Sequence, residues 1–453
     1  MSTDLPAGTR LVPDPSLRRL GDGRVLLGGS PLRLLRLGAA GSRLVDRWIS
    51  GELVEPGAAS KLARRLLESG LVHPEPAHTT WTADDITLVV PVKDDRAGLR
   101  RALRAASDVP NRIVVDDGST SPIPDSTARH EHPRGPAAAR NTGWRRAETE
   151  LVAFVDADAE PAAGWLEPVL RQFADPAVLA VAPRITGVAD DSSLGRYESD
   201  RSSLDMGPRR ALVRPMSRVS YVPSAALVVR RSALAELGGF RESLRYGEDV
   251  DLVWRLLESG GVVRYEPESV VRHRTRPGLR SWLRQRFQYG TSAAPLSRHH
   301  HGKLSCARMS AWSGASWALI ASGRPRIGLA VGAVSTALLP RKLRERGVPD
   351  AESLRLAAFG HLGAGRLLAE ALRRAWWPLL LPAALCSSKA RTVLLAAFLP
   401  CLVEACRAEH GGFSWFALRM LDDLAYSAGV WAGCARERTI APLLPQFTEG
   451  SLR

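Results

Sequence analysis

Leu151-Val-Ala-Phe-Val-Asp156-Ala-Asp158 is an apolar run that ends in two carboxylates. Five apolar residues in a row, three of them Val or Phe, match a strand buried on both faces, as in a parallel sheet. Ligands of open α/β sheets bind in the crevice beyond the carboxyl ends of the strands. Asp156 and Asp158 therefore stand where a ligand is expected. Oxygen ligands at such a point suit a hard divalent cation, Mg²⁺ or Mn²⁺, shared with the phosphates of a nucleotide. An isolated Asp-x-Asp is also an ordinary turn or helix start, so its neighbours decide.

Upstream, Ile86-Thr-Leu-Val-Val-Pro-Val and Arg112-Ile-Val-Val are short β-rich runs, with Leu99, Ala102, Leu103 and Ala106 at helical spacing between them. This β-α-β alternation predicts a doubly wound α/β sheet whose strand ends are ligand positions. Those ends carry Pro91-Val-Lys93-Asp94-Asp95, then Asp116-Asp117-Gly-Ser-Thr, then Gly135-Pro-Ala-Ala-Ala-Arg140-Asn141, which opens a helix. A base needs partners for its ring N–H, a ribose needs acceptors for its hydroxyls, and a diphosphate needs cations. Singly each piece is bland: Asp-Asp-Gly-Ser is a turn and Arg140 a helix charge. Their order at successive strand ends points to a nucleotide-diphosphate site.

From Ile86 to Gly290 the chain resembles glycosyltransferase family 2, with its GT-A fold. The segments that carry the likeness are VVPVKDD, VVDDGST, GPAAARNTG, FVDADAEP, Ala235-Glu-Leu-Gly-Gly-Phe, Tyr246-Gly-Glu-Asp-Val-Asp and Arg284-Gln-Arg-Phe-Gln-Tyr-Gly. The resemblance implies that Asp94 and Asp117 touch the uracil or ribose of a UDP-sugar, that Asp156 holds the ribose or donor sugar, and that Asp158 ligates the metal. Pro91, Lys93, Asp116 and Arg140 complete the donor side, and His273 is a further metal ligand. It also makes Asp249 the general base, with Glu248 and Tyr221 on the acceptor side. The first-turn acids Glu248, Asp249 and Asp251 also suit a helix dipole, with Val250, Val253, Leu256 and Leu257 continuing the helix to Gly260. Arg284-Gln-Arg286-Phe resembles the Gln-x-x-Arg-Trp segment of processive members, which places Arg286 on the diphosphate. The missing tryptophan and altered spacing argue against processivity.

Residues 9–75 combine a hairpin start at Arg24-Val-Leu-Leu-Gly-Gly, two helical segments and a closing Leu71-Val72. That order predicts a small winged helix within a domain of residues 1–78. It resembles peptide-binding chaperone domains that take a leader peptide as an added strand. A DNA-binding winged helix or a packing module shares the pattern. His73-Pro-Glu-Pro-Ala-His-Thr-Thr reads as a linker into a core of residues 79–300.

Residues 301–453 form a third, helical region. Its apolar stretches, Ile327 to Leu339, Trp376 to Leu385 and Val393 to Val403, are short of the roughly 18 to 20 residues of a spanning helix. Trp376-Trp377 with Arg373, Arg374 and Arg391 reads as an interfacial segment on an anionic membrane surface. A core bundle or two short tilted spans are the alternatives. His299-His-His with Cys306 lacks the pairing of a zinc site.

The 453 residues carry a net charge of +15 through 62 Lys and Arg against 47 Asp and Glu, and only five are lysines. An arginine excess fits phosphates, nucleic acid or anionic head groups. Aromatic-interleaved basic motifs are missing, which argues against nucleic acid as a partner. Five cysteines, all beyond residue 300 and without a CxxC pair, predict a reducing compartment and no disulfide framework. No secretory signal pattern precedes Leu11. Taken whole, the domain order resembles the glycosyltransferases of the mycofactocin system. That implies transfer of a hexose, expected to be glucose, from a UDP-sugar to a peptide-derived redox-cofactor precursor as a β-linked oligosaccharide, at the cytoplasmic face of the cell membrane. Competing readings are a cell-wall or lipid-linked-glycan transferase, and an inactive basic scaffold.

Overall fold

The computed structural model describes residues 5–76, 78–188, 190–274 and 278–448. The chain divides into two compact units, one of Met1–Leu17, Gly28–Pro31 and Ala40–Thr275, the other of Arg18–Leu27, Leu32–Ala39 and Arg276–Arg453.

The N-terminal residues form short strands and two helices. Strands β1 (Arg10–Pro13), β2 (Arg18–Leu20), β3 (Val25–Gly28) and β4 (Arg33–Arg36) are followed by α1 (Ala39–Ile49), α2 (Ala58–Glu68) and β5 (Val72–Glu75). They make two small sheets, a β1-β5 pair and a β2-β3-β4 sheet. Apolar burial explains the split: Leu20, Val25 and Leu27 form a cluster with Leu343 and Val348 of the second unit. The stretch read as a linker begins as β5, with His73 opposite Val12 in the antiparallel pair. Burial of His73 on the Asp14 carboxylate, 2.9 Å away, holds that segment in register.

The first unit continues with β6 (Ile86–Val92), α3 (Arg96–Ala105), β7 (Asn111–Asp116), β8 (Ala128–Arg129), α4 (Pro136–Trp144), β9 (Leu151–Val155), β10 (Ala159–Pro161), α5 (Leu166–Gln172), β11 (Val178–Val188), α6 (Ser193–Arg201), β12 (Ala211–Leu212), β13 (Ala226–Arg230), α7 (Arg231–Leu237), α8 (Glu248–Glu258) and β14 (Val262–Arg274). The α/β core is present, but its nine-stranded sheet is mixed, in the order β10-β14-β11-β13-β9-β6-β7-β8 with β12 on β14. β6, β7 and β9 are parallel, while β13 runs antiparallel to both β9 and β11. β11 and β14 are parallel to each other. Two reversals restore the direction, so the carboxyl end of β14 reaches the same sheet edge as that of β9. Every residue of β9 is fully buried, as its unbroken apolar run requires.

α2 is fastened to the sheet unit by charge: Arg64 meets Asp175 at 2.5 and 3.1 Å, with both residues buried.

The second unit contains α9 (Leu279–Thr291), α10 (Ala293–His299), β15 (Arg308–Ser310), α11 (Ala311–Ala321), α12 (Pro325–Arg344), α13 (Asp350–Arg374), α14 (Trp377–Cys386), α15 (Ser388–Arg407), α16 (Phe413–Glu437) and β16 (Gln446–Thr448). α9 and α16 approach closely at glycines, since a Cβ on Gly429 would lie 1.9 Å from the Phe287 carbonyl oxygen. Buried Asp423 is shared by Arg373 at 2.9 Å, Arg374 at 3.1 Å and Arg419. Among the described residues no helix is long and apolar enough to cross a membrane.

Asp175→Ala removes the carboxylate from buried Arg64, a change expected to cost about 3–5 kcal/mol. A thermal melt should show the first unit unfolding several degrees lower, whereas an unchanged melt would mean that the pair adds nothing to the joint.

Candidate active site

The parallel strands set the site's floor. Lys93 and Asp94 follow β6 and are exposed, and Pro91 is half-buried within the strand. Asp94 adopts left-handed backbone, φ 56°, and its carboxylate accepts the Thr120 N–H at 2.7 Å while its own N–H donates to Ser119 Oγ at 2.9 Å. These bonds tie the turns after β6 and β7 together.

The two aspartates of that second turn are committed inside the protein. Asp116 is fully buried and accepts from the Ser119 N–H at 2.8 Å, the Ile123 N–H at 3.1 Å and Arg129. Burial pushes its carboxyl up, but these hydrogen bonds outweigh it and hold it below the usual range. Asp117 is 6% exposed. Its oxygens accept from His130 at 2.7 Å and from the Arg134 and Gly135 N–H groups, each at 2.8 Å. Asp116 is thus a turn anchor and Asp117 a clamp on the entry to α4.

Through α4 that clamp positions Arg140. Its guanidinium is 3% exposed, lies 5.5 Å over the Phe240 ring, and donates to Asp156 at 2.7 Å and Glu248 at 2.9 Å. Burial alone would lower its pKa; the two carboxylates reverse that and raise it, so Arg140 stays charged. Asn141 on the same helix donates to the Phe240 carbonyl at 2.8 Å and accepts its N–H at 2.9 Å. The turn leading to α8 is thereby held from α4. Gly239 is required there: its φ is +76° and a Cβ would stand 2.4 Å from Asn141 Oδ1.

Glu248, Asp249 and Asp251 occupy the first turn of α8, after left-handed Gly247. Asp251 is fully buried and accepts from Arg255 at 2.8 Å, making it a support for the helix. Glu248 is buried, and desolvation followed by the neighbouring Asp249 charge pushes its pKa up to about 7 against the pull of Arg140. Asp249 is half-buried, and desolvation raises its carboxyl despite the N–H groups of Val250 and Ser224 and the charge of Arg140.

At the end of β9, Asp158 meets His273 across the β10-β14 pair, where Ala159 is opposite His273. Asp158 Oδ1 and His273 Nε2 are 3.4 Å apart. Adjacent ligands of a six-coordinate ion with bonds of about 2.1 Å lie roughly 3 Å apart, so the two atoms fit one cation with positions left for phosphate oxygens.

Tyr221 is half-buried in the loop before β13. Arg286 lies in α9 of the second unit, 2% exposed, 5.2 Å over Trp282 and 3.4 Å from Asp422. Asn141, Phe240 and Trp254 were not singled out from the sequence, since each reads as helix surface or core until its partners are known.

Glu248 has a folded pKa above its unfolded value, so its favourable contribution is present below about pH 4.5 and is lost as pH rises through about 7. Glu248→Gln abolishes that titration. The melting temperature of the variant should gain on wild type between pH 5 and pH 8; parallel curves would refute the buried-carboxyl assignment.

The glycosyl transferase family 2 model matches residues 87–238. The chain is 41% identical to the pre-mycofactocin glycosyltransferase of Mycobacterium tuberculosis (strain CDC 1551), across 98% of this chain and 99% of that relative. A probable polypeptide N-acetylgalactosaminyltransferase 8 of Homo sapiens is 29% identical over 32% of this chain and 25% of its own. Among solved structures, a mannosyltransferase from Pyrobaculum calidifontis in complex with GDP-Man and Mn²⁺ aligns with a TM-score of 0.46 and 17% identity, covering 82% of this chain and 92% of that one. On its full-length likeness to the mycobacterial protein, the chain belongs to the pre-mycofactocin glycosyltransferase family and is a glycosyltransferase family 2 enzyme.

Proposed function

We propose that the chain is an inverting hexosyltransferase that takes glucose from UDP-glucose and adds it to the peptide-derived mycofactocin precursor, extending a β-linked oligosaccharide. The acceptor class rests on the relatives named for pre-mycofactocin. The chemistry rests on one observation: Arg140 joins Asp156, two residues before Asp158, to Glu248, the neighbour of Asp249, at 2.7 and 2.9 Å. Inversion by direct displacement needs a base on the acceptor hydroxyl, opposite the departing diphosphate. Asp249 is that base, and its raised pKa strengthens it for the task. Glu248 and Tyr221 lie on the acceptor side, while Pro91, Lys93 and Asp94 border the donor.

Asp158 and His273 would hold a divalent cation, Mg²⁺ or Mn²⁺, and a carboxylate paired with an imidazole favours Mn²⁺. When bound, such an ion neutralises the leaving diphosphate. The two-stranded β1-β5 sheet has edges at which a precursor peptide would add as a strand. The cytoplasmic face of the membrane is the place we assign: Leu385, Leu395 and Leu399 on α14 and α15 are 79%, 71% and 61% exposed, with Lys389 and Arg391 beside them in sequence. Leucines backed by cations suit an anionic lipid surface.

Mass analysis of products from the purified protein, UDP-glucose, Mn²⁺ and the peptide-derived acceptor should reveal hexose additions. Asp249→Asn should reduce turnover by at least about 10²-fold with donor binding retained, and Asp158→Asn should weaken the Mn²⁺ response. Wild-type turnover in the Asp249 variant would remove the base from the scheme. Co-sedimentation with vesicles containing phosphatidylserine should be lost in Leu385→Glu/Leu395→Glu; equal pelleting of both proteins would rule out these helices as the lipid contact.

A further inference from the structure

The loop between Ser220 and Ser224 is pinned at both ends to α8, the helix that carries Asp249. At one end the indole N–H of Trp254, itself 3% exposed, donates to the Ser220 carbonyl at 2.8 Å. At the other the Ser224 N–H donates to the Asp249 carboxylate. Between them lie half-buried Tyr221, fully buried Val222 and buried Pro223. The chain before the loop is folded back on itself, with the Arg214 N–H on the Val219 carbonyl at 3.1 Å and Ser220 Oγ on the Ser217 carbonyl at 2.9 Å. Tyr221 is therefore the accessible member of a short segment held at two points one and three residues away. The next helix residue, Arg255, grips the opposite turn through the Leu237 and Gly239 carbonyls at 2.9 and 2.7 Å. One turn of α8 thus holds both the Ser220 loop and the turn of residues 237–239.

We infer that Trp254 is a positioning residue for the acceptor: by fixing the Ser220 carbonyl it presents Tyr221 beside Asp249 as a platform for a flat ring, aromatic or pyranose. This rests on Asp249 being the base. A ring stacked on Tyr221 presents an edge hydroxyl towards the neighbouring carboxylate, and a rigid tyrosine supplies contact area at little entropic cost. Trp254 touches no substrate. Its effect passes through the loop, so its loss should appear in acceptor affinity and leave donor affinity alone.

Trp254→Phe keeps an aromatic ring at this buried position and removes the indole N–H together with part of the bicycle. With the peptide-derived acceptor and UDP-glucose, we expect the acceptor KM to rise about 3- to 10-fold, the scale of one lost hydrogen bond, with UDP-glucose affinity unchanged. Tyr221→Ala should raise the same KM by at least as much. The double variant should be no worse than Tyr221→Ala alone, because both act through one platform. Multiplying effects, or a Trp254→Phe enzyme that loses thermal stability with an unchanged acceptor KM, would overturn the inference. Should Trp254→Phe not fold, Tyr221→Ala decides, and an unaltered acceptor KM there is equally fatal. Asp249→Asn separates the levels: if it retains turnover, the base assignment falls and this proposal with it. If it is inactive while both loop variants keep the wild-type acceptor KM, only the platform falls.

Discussion

Arg140 is the residue on which the site depends. It is a buried cation between two carboxylates that belong to different elements, Asp156 at the end of β9 and Glu248 at the start of α8. A buried charge left without its partner is costly by several kcal/mol, so neither end can drift without loss. The Phe240 face beneath the guanidinium closes the remaining side, and Phe240 stacks edge-on against Phe154 of β9 with centroids 5.1 Å apart. Sheet, turn and α8 are thereby locked around one charge. The same low-dielectric setting raises the Glu248 and Asp249 pKa values.

The acidic turn after β7 works at one remove. Asp116 and Asp117 use their oxygens to satisfy buried N–H groups, and Asp117 in particular clamps the Arg134-Gly135 backbone that leads into α4. Their bonds set the shape of the turn and of the entry to α4. Asp94, exposed and left-handed, accepts the Thr120 N–H, and Lys93 stands next to it.

Much of this core was legible in the sequence. An apolar run ending in Asp156-Ala-Asp158 matches a buried strand delivering carboxylates to an edge, and β-α-β alternation places the other turns beside it. What could not be read was the partners: Asp116, Asp117 and Arg286 have the residue types of ligand contacts, and each also has a partner inside the protein. His73 and Pro74 looked like linker because polarity and proline suggest turns, but pairing with β1 and the Asp14 carboxylate outweigh that local preference. The N-terminal hairpin was assigned to its own domain, whereas Leu20, Val25 and Leu27 are buried with residues more than 300 positions away.

The sequence by itself determined the α/β core, the strand ends and the acidic start of α8, because strand periodicity and turn residues act over a few neighbouring positions. Only the tertiary structure decided which carboxylates are open and which are consumed, that the sheet is mixed, and that His273 stands 3.4 Å from Asp158. Those outcomes depend on strand order and on burial summed over distant segments. A side chain's partner is set by where the sheet brings it, and a residue's type carries no record of that.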